Sequence, residues 1–223
     1  MVTGALGVLG RAVAEAAEAA GATVARVDFA RAAQPAPGLH DGVDLGDEAA
    51  TAAVMARIAG EAGGAIDGLA NIAGGFTWSL VADSPAAIWE AMFRMNLATA
   101  LNASRAAAPY LAKARGGAAI VNMGANAATR AAAGMGPYTA SKAAVLRLTE
   151  ALAEELAGDG VRVNAILPSI IDTPTNRKDM PKADFGTWVQ PADIAHAIVF
   201  LLSDAAHAIT GAAVPVTVGR KQA

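Results

Sequence analysis

Short apolar runs alternate with alanine-rich amphipathic stretches along the whole chain. The runs are "ATVARVD" (22–28), "IDGLANIAG" (66–74), "AAIVNMG" (118–124), "VRVNAILP" (161–168) and "AAVPVTV" (212–218). Each is brief and mostly apolar, as parallel strands covered on both faces must be. Between them the pattern predicts helices over roughly 8–20, 47–60, 85–113, 137–157 and 191–203. Ser84 before Pro85 supplies an N-cap and then a proline at the first helical position. Gln190 and Pro191 open another helix in a similar way. Strands and helices in alternation predict α/β architecture: one doubly wound parallel sheet with helices on both faces. There is no tandem repeat and no linker, so residues 1–223 are expected to form a single domain. The long irregular stretch is 169–190, and such loops in compact domains are often lids or binding loops.

The pattern is incomplete at its start. Only Met1 and Val2 precede the glycine turn at Thr3–Gly4, whereas a strand usually has about five or six residues. Either the first strand is stunted or the natural start lies upstream of Met1; the second is the expectation.

Composition narrows the function classes. The 223 residues, 54% hydrophobic and 17% charged, describe a globular chain able to bury a substantial core. A net charge of −3 offers no basic excess for nucleic acid or an anionic membrane. With no cysteine there is no thiol nucleophile or thiolate site, and the scattered His40, His196 and His207 do not predict a metal centre. No apolar run reaches the ~18 residues of a membrane span, and no basic leader is visible. The expectation is a soluble, cytoplasmic protein acting on a small molecule.

Candidate chemistry stands at two places. In "TGALGVLG" (3–10), glycines at 4, 7 and 10 follow a strand and open a helix. Such a turn lets the backbone approach a pyrophosphate at the positive helix N-terminus. Thr3, Gly4, Gly7, Leu9 and Gly10 are its candidate cofactor contacts. Asp28 ends the second predicted strand, where a carboxylate accepts from ribose hydroxyls and repels a 2′-phosphate. NAD(H) is therefore expected over NADP(H). The helix should turn Arg11 away, but Arg26 and Arg31 lie close enough to leave NADP open. The second place is "VNMGANAATRAAAGMGPYTASK" (121–142). Tyr138 and Lys142 are spaced to share one helix face. A phenol titrates near 10, and an ammonium beside it should lower that value toward a range useful for proton transfer.

Taken in order, the glycine turn, "NIAG" (71–74), Tyr138 and Lys142 resemble the short-chain dehydrogenase/reductase family, from Thr3 to about Gly219. The resemblance implies a Rossmann-type fold, an NAD(P) cofactor and Tyr138 as the catalytic acid. It implies that Lys142 grips the nicotinamide ribose, and that Asn71, Ala73 and Gly74 line the central strand and the adenine ribose. Asp44 would approach the adenine. Asn96 would kink the helix 85–113 and hold a water near the lysine. Pro168 and Thr173 would embrace the nicotinamide. Members commonly pair through two long helices, here 85–113 and 137–157, so a homodimer or homotetramer is expected.

Three positions depart from the family pattern. Val8 and Ser169 stand where glycines are common, and Ala125 stands where the catalytic serine is usual. Dihydropteridine reductases also lack that serine. The chain is similar to them in "AGG" followed by Phe76, in "GMGPY", and in "IDTPTNRKDMPKADFGTW" (171–188). That similarity implies NADH-dependent reduction of a quinonoid pterin, stacked between walls for which Trp78, Met135, Ile170 and Trp188 are candidates beside Ala125. The alternatives are a generic carbonyl or 3-oxoacyl thioester reductase and a cofactor-binding regulator without turnover.

Overall fold

A computed structural model describes residues 1–217. Its seven strands form one parallel sheet in the order β3-β2-β1-β4-β5-β6-β7. They are β1 (Val2–Thr3), β2 (Arg26–Val27), β3 (Leu39–His40), β4 (Gly68–Asn71), β5 (Ala118–Met123), β6 (Val161–Pro168) and β7 (Ala213–Val216). The helices are α1 (Val8–Ala19), α2 (Glu48–Glu61), α3 (Ala86–Phe93), α4 (Thr99–Leu111), α5 (Gly136–Glu155), α6 (Pro174–Asp179) and α7 (Pro191–Leu202). All six residues of β5 are buried. Ile120 faces a core with Leu69, Val163, Met55 and Leu111. Its neighbour Val121 faces the opposite core with Ala70, Ile166, Ile194 and Ile198. Burial on both faces explains why the central strands read as unbroken apolar runs.

Local structure refines several expected boundaries. The ladders of β2 and β4 are shorter than 22–28 and 66–74, because the ends of those apolar runs leave the sheet as loops. For the predicted strand 212–218, the ladder is Ala213–Val216, and residue 218 lies outside the described residues. β3 was not expected: two residues are too few to set up an alternation. β1 is indeed only two residues long, yet it pairs with β2 through Val2 and Thr3 and with β4 through Val2.

The helix expected over 85–113 is interrupted by one π-helical turn, Arg94–Ala98, which carries Asn96. Asp47 caps α2 by accepting from Ala50 N–H. The loop 169–190 contains α6 and a 3₁₀ turn at Phe185–Thr187. From β1 the strand order runs outward in both directions, so the carboxyl ends of β1 and β4 flank a crevice. In open α/β sheets this is the place where ligands bind.

Candidate active site

A cleft of about 920 Å³ opens at that crevice. Gly4, Gly7, Val8, Leu9 and Gly10 line one end of it. Gly4 has φ +63°, and a Cβ there would lie 2.9 Å from the backbone nitrogen of Ala73. The turn therefore presses directly on the exit of β4. At α1, Gly7 is the N-cap, no side chain caps the helix, and its first turn holds no acid. The unpaired N–H groups and the positive end of the helix dipole are left for an anion. This part of the cleft fits the pyrophosphate of a dinucleotide.

Thr3 has another role. Its Oγ1 accepts from the N–H groups of Ile72 (2.9 Å) and Ala73 (3.1 Å), tying β1 to the exit of β4. Asp28 lines the cleft, and its carboxylate accepts from Leu6 N–H and Ala30 N–H, both at 2.8 Å. The acid that suits a ribose thus also braces the glycine turn. Asp44 lines the cleft too, accepting from Gly46 N–H at 2.8 Å and pairing with Arg94 at 2.6 Å. Arg31 folds its guanidinium toward Gly42. Ala73 and Gly74 line the cleft, whereas Asn71 lies beneath it. The buried Asn71 amide donates to Ser104 Oγ (3.0 Å) and Asn122 Oδ1 (2.9 Å), and Asn122 donates to Thr149 Oγ1 (2.9 Å). That chain of bonds joins β4, β5, α4 and α5.

Tyr138 and Lys142 stand in the first turns of α5 and both line the cleft. Lys142 is 4% exposed, and its Nζ donates to the carbonyl of Met123 at 2.7 Å. Burial lowers the lysine to about 8. The ring of Phe76 meets the Tyr138 ring edge-on, with centroids 5.0 Å apart. Burial pushes the Tyr138 phenol up to about 12. The direction is opposite to the depression expected from an ammonium, and its cause is desolvation of the phenolate.

Asn96 comes close to both Gly74 and Lys142. A Cβ on Gly74 would lie 2.6 Å from Asn96 Oδ1 and 3.3 Å from Lys142 Nζ. The Asn96 side chain grips Gly75 twice, accepting from its N–H (3.0 Å) and donating to its carbonyl (3.1 Å). It also donates to Ser141 Oγ at 3.0 Å, which joins the π-helical turn to α5.

The cleft is also lined by Met95 and Met123, which the sequence does not mark, and by Phe76, Ile171 and Thr175 from the stretches that carry the resemblance. Ala125, Met135, Trp78, Trp188 and Pro168 are not on its walls. Ala125 is buried just beyond β5, and Pro168 pairs with Val216 of β7. Met135 is the N-cap residue of α5, where its carbonyl accepts from Thr139 N–H at 2.8 Å. Trp188 is buried beside Phe185, with centroids 4.7 Å apart. Trp78 is 58% exposed and packs over Gly134. Thr173 does line the cleft, and its Oγ1 caps α6 by accepting from Asn176 N–H at 3.2 Å. No single period marks these walls, because they come from separate elements: Phe76 from a loop, Met95 from the π-helical turn, Met123 from the end of β5 and Thr175 from α6.

The string 171–188 is largely occupied with itself. Asp172 takes a bidentate pair from Arg177 at 2.6 and 2.7 Å and a bond from Gln190 at 3.0 Å. These hold its carboxyl down at about 2. Asn176 donates to Ile171 O at 2.8 Å, and Arg177 lies over the Phe185 ring at 4.8 Å. The loop is a braced unit that presents Ile171, Thr173 and Thr175 to the cleft.

Among the described residues no cluster of His, Cys, Asp or Glu is placed to hold a metal, and no helix is long and apolar enough to cross a membrane. His40 is buried against Arg57, with Nη2 2.5 Å from Nδ1.

Comparison with known proteins gives the same reading for nearly the whole length. A family model described as enoyl-(acyl carrier protein) reductase matches residues 4–221. D-threitol dehydrogenase of Mycolicibacterium smegmatis is 37% identical over 95% of this chain and 88% of its own. The 3-oxoacyl-[acyl-carrier-protein] reductase FabG of Thermotoga maritima is 35% identical over 66% of this chain and 63% of its own. Carveol dehydrogenase from Mycobacterium avium, solved in complex with NAD, superposes with a TM-score of 0.84 at 25% identity, covering 98% of this chain and 95% of that one. With this sheet order, this glycine turn and these relatives, the chain belongs to the short-chain dehydrogenase/reductase family of oxidoreductases.

Proposed function

We propose that this enzyme uses NADH to reduce flat, conjugated acceptors of the quinonoid dihydropterin kind. The observation that carries the reading is Ala125, a buried methyl where the family serine would place a hydroxyl. Its neighbour Asn126 is exposed and opens the 3₁₀ turn Asn126–Ala128. Phe76, edge-on to Tyr138, and Met123 and Ile171 of the same cleft supply apolar surface instead. A ketone oxygen that gathers negative charge needs a fixed donor. A conjugated imine that takes its proton on nitrogen can be held by stacking and shape.

The glycine turn and Asp28 would hold a nicotinamide cofactor, which would supply the hydride when bound. The chain supplies the rest. Tyr138 carries its proton at neutral pH, as any phenol near 10 does, and burial, which pushes it up to about 12, holds that proton more firmly until a bound substrate accepts it. Lys142, fixed by the Met123 carbonyl, lines the same cleft as the acid and would offer its ammonium to the cofactor's ribose.

Ala125→Ser tests the reading. Ketone reduction should rise by about tenfold, equivalent to ~1.4 kcal/mol of barrier. Reduction of quinonoid dihydropterin should barely change. The measurement is NADH oxidation over a panel of both acceptor types. A wild type that reduces simple ketones well, joined to a mutant with flat ketone activity, would defeat the proposal. The second reading, a carbonyl or 3-oxoacyl thioester reductase, is suggested by the Thermotoga relative, and that contrary result is the one that would support it.

The cofactor preference is tested separately. A 2′-phosphate at the ribose site would meet the Asp28 carboxylate, and like charges about 4 Å apart repel by roughly 1–4 kcal/mol. NADH is therefore expected to exceed NADPH in kcat/KM by about tenfold or more. Equal values, or a preference for NADPH, would mean that Arg31 rather than Asp28 governs the site.

A further inference from the structure

The segment between β4 and the 3₁₀ turn at Val81–Asp83 carries Phe76 to Tyr138, yet residues 72–80 have no regular secondary structure. Two pins hold the segment. The first is Asn96, whose side chain grips both backbone groups of Gly75. The second lies on the other side of Phe76. Ser79 N–H donates to the carbonyl of Gly134 at 2.8 Å, and the Trp78 indole covers the α-carbon of that glycine. A Cβ on Gly134 would lie 2.0 Å from Trp78 Cε2 and 2.1 Å from Nε1. Gly134 also has φ +75°, a conformation in which a side chain is strained in any case. Gly134 leads through Met135 directly into the first turn of α5, where Tyr138 stands. The clasp thus ties the segment that bears Phe76 to the segment that bears the acid.

We infer that Trp78 is a positioning residue: through its seat on Gly134 it fixes Phe76 against Tyr138 and so sets the gap into which a flat acceptor slides. Its exposure of 58% fits this role. One face of the indole is used by the clasp, and the ring lies outside the cleft walls. The inference rests on the proposed reduction of flat acceptors for the shape selected. The clasp itself stands on geometry alone.

The test compares Trp78→Ala, Trp78→Phe and Gly134→Ala with wild type. Hydrogen exchange on the protein alone is the first readout. The Ser79 amide and its neighbours in 76–80 should exchange faster in Trp78→Ala and in Gly134→Ala, and near the wild-type rate in Trp78→Phe. Steady-state kinetics is the second. Misplacing a reacting group by ~1 Å can lower a rate by roughly 100-fold. Trp78→Ala, which leaves Asn96 in place, should lose about tenfold in kcat/KM for the flat acceptor, with KM for NADH unchanged. Trp78→Phe should recover most of that loss. Selectivity for flat over bulky tetrahedral-centred acceptors should narrow in Trp78→Ala. Unchanged exchange at 76–80, or a folded Trp78→Ala with wild-type kcat/KM and selectivity, would overturn the clasp. A wild type inert toward quinonoid dihydropterin would overturn the proposed substrate instead. The ratio of variant to wild type would then be read on whichever acceptor the wild type reduces, and the exchange result would stand regardless.

Discussion

Tyr138→Phe should lower turnover by about 10²–10⁴-fold, the usual contribution of one general acid, while leaving NADH affinity unchanged. The substitution removes only the hydroxyl. The ring remains, so the edge-on contact with Phe76 and the fit of α5 against the cleft survive. Lys142 keeps its bond to the Met123 carbonyl, because that bond does not involve the tyrosine. The sign of the pH dependence follows from burial. The phenol is pushed up to about 12, so the wild-type acid stays protonated through the neutral range. The deficit should therefore be the same between roughly pH 6 and 7, below the range in which Lys142, lowered to about 8, loses its charge. Steady-state rates at several pH values, beside a fluorescence titration with NADH, provide the measurement. A variant that keeps more than a few per cent of the rate would remove Tyr138 from the role of acid.

Gly10→Ala is expected to weaken NADH binding by about 100-fold or more, equivalent to roughly 2.7 kcal/mol. The new methyl carbon would lie 2.0 Å from the Gly4 carbonyl oxygen, 2.7 Å from its carbon and 2.8 Å from the Cα of Ala5. All three are backbone atoms, so no side chain can swing aside to relieve the clash. The turn must open, and the N–H groups at the start of α1 then lose their common aim. Asp28 would feel the same shift through its bond to Leu6 N–H. Gly60→Ala is the matched control, because a methyl there meets nothing within 4 Å. Titration with NADH and a thermal melt of both variants separate lost binding from lost folding. Wild-type affinity in Gly10→Ala would show that the turn is not where the pyrophosphate rests.

The loop 169–190 shows how a legible motif can carry an illegible role. Its sequence was distinctive enough to suggest a pterin reductase. In three dimensions Asp172, Arg177, Phe185, Trp188 and Gln190 mainly hold one another. Several of its distinctive residues are thus accounted for by the bracing of the loop. Only Ile171, Thr173 and Thr175 of this loop line the cleft, so the string speaks more strongly for the loop's shape than for its substrate.

Local order determined what could be read from the chain alone. Apolar runs and helical spacing marked β2, β4 to β7 and most of the helices, because burial on both sheet faces leaves a mark on consecutive residues. The glycines at 4, 7 and 10 marked a turn, and the spacing of Tyr138 and Lys142 marked one helix face. The resemblance pointed to Asn96, and the π-helical turn stands at that residue. Tertiary structure alone decided the remainder. Strand β3 is too short for any period and forms only because β2 offers it a ladder. The walls of the cleft join Phe29, Phe76, Met95 and Ile171, which are far apart in sequence. The direction of the Tyr138 shift depends on how deeply the phenol is buried, which spacing does not encode. Trp78, a candidate wall residue from the sequence, covers Gly134, because that glycine's missing side chain leaves a seat which only the folded chain brings within reach.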